Sequence, residues 1–133
     1  MNKLFKEDIF DVFEVRSSSI IHLINLEING ELVETPGSYI PWPELKHYIF
    51  HFIKGKIKPK QIKIVFSMPK RKLGEIAPNL AAAFLNMEYS NDEIRFVTAT
   101  SQQEFSLNKA QDMVWDEFVR DFFAGNEIVV EKE

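Results

Sequence analysis

The 133-residue chain is 45% hydrophobic and 27% charged with a net charge of −4, a balance typical of one folded domain over residues 1–133 and not of a disordered chain. Because the chain contains no cysteine, disulfides, zinc–thiolate sites and a cysteine nucleophile are excluded. No apolar run approaches the roughly 18 residues of a membrane span and the acidic N-terminal segment is unlike a signal peptide, so we expect a cytoplasmic location and no membrane partner.

The first predicted element is a β-hairpin. The stretch Ile20 to Ile28 is rich in β-branched residues and partly alternates in polarity, which is typical of a strand with one wet face. It leads into Asn29-Gly30, the dipeptide that most readily supplies the two positive φ angles of a type I′ turn. We therefore expect Glu31 to Thr35 to form the return strand.

A helix is predicted to start at Pro43, because proline is favoured at the first helical position, and to stop at Gly55. Its apolar residues recur at helical spacing on one side: Trp42, Leu45, Ile49, Phe52 and Ile53. A strand from Gln61 to Met68 should follow the helix and end at Pro69. The segment from Lys70 to Ala82 gives no clear pattern.

The C-terminal half predicts a second hairpin and a second helix. Phe84 to Tyr89 and Glu93 to Ala99 are separated by the turn-forming Ser90-Asn91-Asp92. Further elements are expected at Gln103 to Leu107 (strand), at Asn108 and Gln111 (capping box), from Ala110 to Phe122 (the apolar stripe of a helix that ends near Gly125) and at Ile128 to Val130 (edge strand). Without a regular βαβ alternation, these elements predict an α+β fold, with a mainly antiparallel sheet of six or seven strands and two main helices packed on one face.

Basic residues are concentrated in one segment. Between Leu45 and Gly74 there are nine basic residues and no acidic one, whereas the rest of the chain holds seven basic and 20 acidic residues. Such a segment either pairs with the acidic remainder of the chain or forms a phosphate-binding face. Phe50 lies on the polar side of the first helix, where it is covered either by another segment of the chain, such as Lys70 to Ala82, or by a ligand. The candidate surface therefore comprises Phe50, Lys54, Lys56, Lys58, Lys60 and Lys63.

Two bulky side chains of the last helix, Met113 and Phe123, fall off its apolar stripe. If both face outward, they form a candidate self-association surface, although singly exposed apolar residues are common.

No motif for catalysis or cofactor binding is present. The five glycines are scattered singly, which does not fit a dinucleotide fingerprint or a P-loop, and no serine lies in a nucleophile elbow. Glu44, His47 and His51 share one face of the first helix, but this pattern is more typical of a solvated helix face than of a metal site. We therefore assign no catalytic, cofactor-binding or metal-binding residue.

Three stretches resemble a family of short bacterial proteins, the domain of unknown function 5721. They are Ile9-Phe-Asp-Val-Phe13 with the Ile28-Asn-Gly30 turn, Trp42 through Lys56 to Pro59 with Ile62-Lys-Ile-Val-Phe66, and Thr98-Ala-Thr-Ser101 with Phe105-Ser-Leu-Asn-Lys109 and Trp115-Asp116. The resemblance implies a stand-alone bacterial protein and no known activity or site residues.

These observations predict a non-enzymatic binding or protein-interaction domain that meets a protein partner or its own copy. The alternative is a nucleic-acid or phosphate binder that uses the basic segment from Lys54 to Lys63. An enzyme is the third possibility, which a deep pocket holding convergent titratable groups would favour.

Overall fold

The computed structural model describes residues 2–5, 7–102 and 110–126. Along the chain, the elements are α1 (Asn2–Phe5), a 3₁₀ helix (Ile9–Val12), β1 (Glu14–Ile21), β2 (Asn25–Asn29), β3 (Ile40–Pro41), α2 (Trp42–Ile53), β4 (Gln61–Ser67), α3 (Lys70–Ile76), β5 (Leu80–Ser90), β6 (Glu93–Gln102) and α4 (Ala110–Gly125). The strands form one sheet in the order β2-β1-β4-β5-β6, and β3 pairs with the start of β1. All pairs are antiparallel, which confirms the predicted α+β fold with an antiparallel sheet.

Both long helices pack on the same face of the sheet. The α2 residue Trp42 meets Phe66 of β4 with ring centroids 5.2 Å apart, and the α4 residue Phe123 meets Phe96 of β6 at 4.8 Å. Strand register places Phe66 and Phe96 on one face, because side chains alternate across a strand. Helix α4 is also held to β6 by two threonine–aspartate hydrogen bonds of 2.6 Å, from Thr98 to Asp116 and from Thr100 to Asp112.

The core between the helices and the sheet is rich in aromatic side chains. Phe10 of the 3₁₀ helix stacks on Phe66 with centroids 5.5 Å apart, and Phe13 lies 5.6 Å from the same ring. The Trp42 indole N–H donates to the Leu4 carbonyl oxygen at 3.2 Å, which ties α1 to α2. The largest fully buried side chains are Trp42, Trp115, Phe13, Phe66, Ile20, Ile49, Ile62, Ile64, Leu85 and Met87.

The predicted position of the first hairpin turn is wrong. The chain reverses earlier, at 22–24, where the His22 amide donates to the Ile24 carbonyl oxygen at 3.1 Å, and β2 pairs back on β1 from Asn25 to Asn29. The predicted continuous strand from Ile20 to Ile28 is therefore two strands. The region predicted as a return strand, Glu31 to Thr35, is a loop with one bridge from Glu31 to Tyr39.

Gly30 has a different role from the one predicted. It donates its amide to the Arg16 carbonyl oxygen at 2.9 Å, and a Cβ at this position would lie 1.9 Å from the Val15 carbonyl oxygen. Glycine is required here because two backbones approach closely, not because a turn needs a positive φ. The positive φ of a turn occurs instead at Gly37, where φ is +88° and the Ser38 amide donates to the Thr35 carbonyl oxygen at 3.0 Å.

The predicted helix after Pro43, the strand at Gln61 and the second hairpin are confirmed, with small differences at their ends. The second hairpin turns at Asn91 and Asp92, whose φ angles of 53° and 62° are those of a two-residue type I′ loop. The unclear segment 70–82 divides into helix α3 and the first residues of β5.

The predicted last helix is confirmed as α4, which ends at Gly125. Its expected Asn108 cap and the expected strands at 103–107 and 128–130 lie outside the described residues.

Candidate binding surfaces

The predicted basic surface is divided by the structure. Lys54, Lys56, Lys58 and Lys60 are exposed in the loop that joins α2 to β4. Lys63 instead lies within β4, where its register partners are Ser19 of β1 and Glu88 of β5. The five lysines therefore belong to two surfaces, one at the end of the sheet and one on its face.

Asp92 of the second hairpin engages part of the basic loop. Its Oδ1 lies 3.0 Å from Lys58 Nζ and accepts a hydrogen bond of 3.0 Å from the Tyr89 hydroxyl. The hydrogen bond from Lys58 is the main cause that lowers the pKa of Asp92, and it raises the pKa of Lys58. Burial, and then the hydrogen bond to Asp92, raises the pKa of Tyr89. The positive charge of Lys58 is therefore partly balanced by Asp92. This contact is one case in which the basic segment pairs with the acidic remainder of the chain.

Phe50 is covered in part by the N-terminal helix. Its ring centroid lies 5.9 Å from that of Phe5, which also contacts Trp42 at 5.8 Å. The side chain remains 36% exposed. The covering segment is α1 and not 70–82, the segment proposed from the sequence, and Phe50 stays partly accessible beside the basic loop.

The two residues predicted for self-association have different environments. Met113 is 63% exposed on α4, as expected. The expectation that Phe123 faces outward is wrong, because it is 6% exposed and packs against Phe96 and Phe122. Phe123 points toward β6, where it packs against the half-buried Phe96. The core therefore extends beyond the apolar stripe that the sequence predicts for α4.

The face of the sheet that the helices leave uncovered forms a second surface, which we call the open face. Register and strand alternation place on it Ser17, Ser19, Glu27, Lys63, Val65, Asn86, Glu88, Arg95 and Val97. Five of these residues form one row across the sheet, in the order Glu27, Ser19, Lys63, Glu88, Arg95. Charges of opposite sign therefore alternate along this row from β4 to β6.

The open face is uneven. One depression of about 310 Å³ lies over β4, β5 and β6, and another of about 300 Å³ lies over β1, β2 and β4. Both are lined by Lys63 and Val65, which therefore form a ridge between them. Glu88, which lines the first depression, accepts a hydrogen bond of 3.1 Å from the Gln61 side-chain amide, and this bond fixes its carboxylate. Both volumes lie at the lower end of the range for ligand pockets, about 300–1,000 Å³, and both depressions are open to solvent, which favours contact with another macromolecular surface.

Arg16 is fixed at one end of the open face by a β-bulge. The register of β1 against β4 shifts between Val15 and Ser17, which turns the Arg16 side chain toward the open face. Its Nε donates to the Ser67 hydroxyl at 3.1 Å. The guanidinium carbon lies 3.9 Å from the ring centroid of Tyr39 and 5.2 Å from that of Phe84. This contact holds the 31–39 loop on the sheet and keeps a positive charge in one position.

Glu14, two residues before Arg16, has a perturbed carboxyl group. Burial raises its pKa, and the nearby positive charges of Arg16 and Lys70 partly oppose that rise. Glu14, Arg16, Tyr39, Ser67 and Phe84, which we call the Arg16 group, therefore place fixed charges at this end of the open face.

The sequence did not identify the Arg16 group, because a bulge depends on how β1 pairs with a strand about 50 residues away. The only local signal is the polar run Arg16-Ser17-Ser18-Ser19 beside apolar strand residues. Within the described part of the chain, no group of three His, Asp or Glu side chains is placed to hold a metal ion. No helix among the same residues is long and apolar enough to cross a membrane.

Residues 3–131 match the model of a family of unknown function, DUF5721, so the chain belongs to that family. Neither a curated protein nor a solved structure matches the chain. The predicted family is thereby confirmed.

Proposed function

We propose that this protein is a non-enzymatic interaction domain that self-associates through the open face of its sheet. The observation that carries the proposal is the alternating charge of the row that crosses Lys63, Glu88 and Arg95. Such a row can be complementary to a second copy of itself, and charge complementarity favours one register of two surfaces over others.

The pairing follows from strand order. A twofold axis parallel to the strands and between β4 and β5 places Lys63 of one copy over Glu88 of the other, and the reverse, because the two residues are register partners. The same axis brings Arg95 over Ser19, next to Glu27, and Val97 over Ser17. Opposite charges thus meet twice, around a partly apolar centre.

The available area suits reversible association. Five strands about 4.8 Å apart, with about seven residues rising about 3.3 Å each, give a face of roughly 550 Å². A standard stable interface buries about 800 Å² on each partner. We therefore expect a dimer that dissociates on dilution and that weakens as salt screens its exposed charges.

Sedimentation velocity over a concentration series tests the proposal. Lys63→Glu places like charges over each other and should raise the dissociation constant at least tenfold, whereas the double variant Lys63→Glu/Glu88→Lys restores opposite charges and should recover dimer formation. Lys54→Glu is the matched control, since it makes the same charge change in the exposed α2–β4 loop. A wild-type protein that stays monomeric at high concentration would refute the proposal.

A second candidate function is nucleic-acid or phosphate binding by the basic loop. It is supported by Lys54, Lys56 and Lys60, which are exposed and form no ion pair with another described residue. Binding of labelled oligonucleotides, measured by fluorescence anisotropy, should then fall steeply with salt and should vanish in the Lys56→Ala/Lys58→Ala variant. Binding that the double variant retains would exclude this loop. In either case we propose a cytoplasmic location, which suits a cysteine-free chain.

A further inference from the structure

Three loops meet at one end of the sheet, which we call the loop end: the 22–24 turn, the 54–60 loop and the 91–92 turn. The Lys60 amide donates to the Ile21 carbonyl oxygen at 2.8 Å, which joins the first two loops. The His22 ring contacts Phe52 of α2 edge-on at 5.8 Å, and Lys58 pairs with Asp92 at 3.0 Å. The three loops therefore form one surface that is anchored to both layers of the fold.

The loop end exposes three aliphatic side chains. Leu23 is 76% exposed and Ile24 is 65% exposed in the first turn, while Ile57 is 59% exposed in the second loop. Each side chain belongs to a loop that projects beyond the last paired residues, Ile21 and Gln61. These three side chains line neither depression of the open face, and a deformable apolar phase can take them up without a matching cavity.

Positive charge flanks Ile57 on both sides. Lys54 and Lys56 precede Ile57, and Lys58 and Lys60 follow it. Of these four, only Lys58 is paired with an acidic residue among those described. Aliphatic residues between lysines match the boundary of an anionic bilayer, where the apolar groups enter the acyl region and the ammonium groups remain at the headgroups.

We infer that the loop end docks on an anionic membrane surface. Nucleic acid would favour several exposed aromatic rings on which bases stack, whereas the exposed apolar side chains of the three loops are Leu and Ile, and the nearby Phe50 ring is partly covered by Phe5. The lysines alone would give only electrostatic attraction, which the three aliphatic side chains complement by removing apolar area from water. Docking would be peripheral, which departs from the expectation of no membrane partner. It is independent of the proposed self-association, because the open face and the loop end share no residue.

Cosedimentation of the full chain with vesicles tests the inference. We expect binding to phosphatidylcholine vesicles that contain about one-third phosphatidylglycerol and at least tenfold weaker binding to phosphatidylcholine alone. The variants Leu23→Ser/Ile24→Ser and Ile57→Ser should each lower the partition coefficient at least fivefold, since they shorten the apolar tip. Lys54→Gln/Lys56→Gln should lower it by a similar factor and reduce its salt dependence.

The matched control is Val33→Ser. Val33 is 94% exposed in the 31–39 loop, which follows β2 at the opposite end of the sheet, so this substitution should leave the partition coefficient within twofold. Equal binding to both kinds of vesicle would overturn the inference. The inference would also be overturned if Lys54→Gln/Lys56→Gln lost binding while Leu23→Ser/Ile24→Ser kept it. The loop end would then be a basic patch that attracts any polyanion.

Discussion

The two faces of the same strands differ in what determines their residues. In β4, Ile64 and Phe66 point into the core and are fully buried, whereas Lys63 and Val65 point to the open face. The covered face must fill volume between α2, α4 and the sheet, so its side chains are large and apolar. The open face is free of that requirement, and its charges alternate across neighbouring strands. Stability should therefore depend on one face and association on the other.

The largest expected effect is a substitution in the covered face. Phe66→Ala removes a fully buried ring that contacts Phe10, Phe13 and Trp42, and it should lower the free energy of unfolding by about 3–5 kcal/mol. Val65→Ala, one residue earlier on the open face, should cost less than about 1 kcal/mol. Urea denaturation measures both, and equal losses would contradict the assignment of the two faces.

The next effect concerns the close backbone approach of Gly30 to β1, next to the bulge between Val15 and Ser17. Gly30→Ala places a Cβ against the Val15 carbonyl oxygen and should lower the free energy of unfolding by about 1–3 kcal/mol or more. Gly74→Ala is the matched control, because nothing lies within 4 Å of its Cβ and the residue is helical. There we expect stabilisation by about 0.4–1 kcal/mol. If thermal unfolding showed the same sign for both variants, the close approach at Gly30 would be refuted.

A smaller effect is expected from the Arg16 group. Arg16→Gln removes the stacking on Tyr39 and Phe84 and should cost about 1–2 kcal/mol, since each exposed cation–π contact contributes about 0.5–1 kcal/mol. Tyr39→Phe keeps the ring and should change stability little. Chemical denaturation measures the two variants, and a larger loss for Tyr39→Phe would show that the hydroxyl, not the stacked ring, holds the loop.

The smallest effects depend on pH and have opposite directions at two carboxylates. Burial raises the pKa of Glu14 above 4.5, so the wild-type protein loses stability relative to Glu14→Gln as pH rises through that raised value. The pKa of Asp92 is lowered from 3.8, so its stabilising contribution is present above that value and is lost as pH falls below it. Asp92→Asn should therefore differ from wild type at neutral pH and converge with it in acid. Thermal unfolding from pH 2 to pH 7 measures both differences, and parallel slopes would contradict these assignments.

The sequence predicts most of the fold where periodicity is clear. The spacing of Trp42, Leu45 and Ile49 defined α2, and Asn91-Asp92 marked the second hairpin between two β-branched runs. The first hairpin was misplaced because Leu23 and Ile24 are apolar yet exposed, so they extended the strand pattern through a turn. Gly30 added to the error, since a glycine needed for close approach looks the same in sequence as one needed for a turn.

The candidate surfaces could be predicted only in part. The lysine-rich segment was visible, but the β4 register that moves Lys63 away from the loop lysines was not. Phe123 was misassigned because Phe96 of strand β6, which is distant in sequence, covers it. The Arg16 group depends on a bulge, and the charge row depends on strand order, and neither property is encoded locally.

Cross-linking of engineered cysteines tests the open-face dimer most directly, because the wild-type chain contains no cysteine. We would mix the Lys63→Cys and Glu88→Cys proteins with a short bismaleimide and compare them with a Tyr48→Cys protein, whose substituted residue is 74% exposed on α2. We expect rapid dimer formation in the mixture and little in the control. Equal yields in both, or none in the mixture, would show that Lys63 and Glu88 do not face each other across an interface.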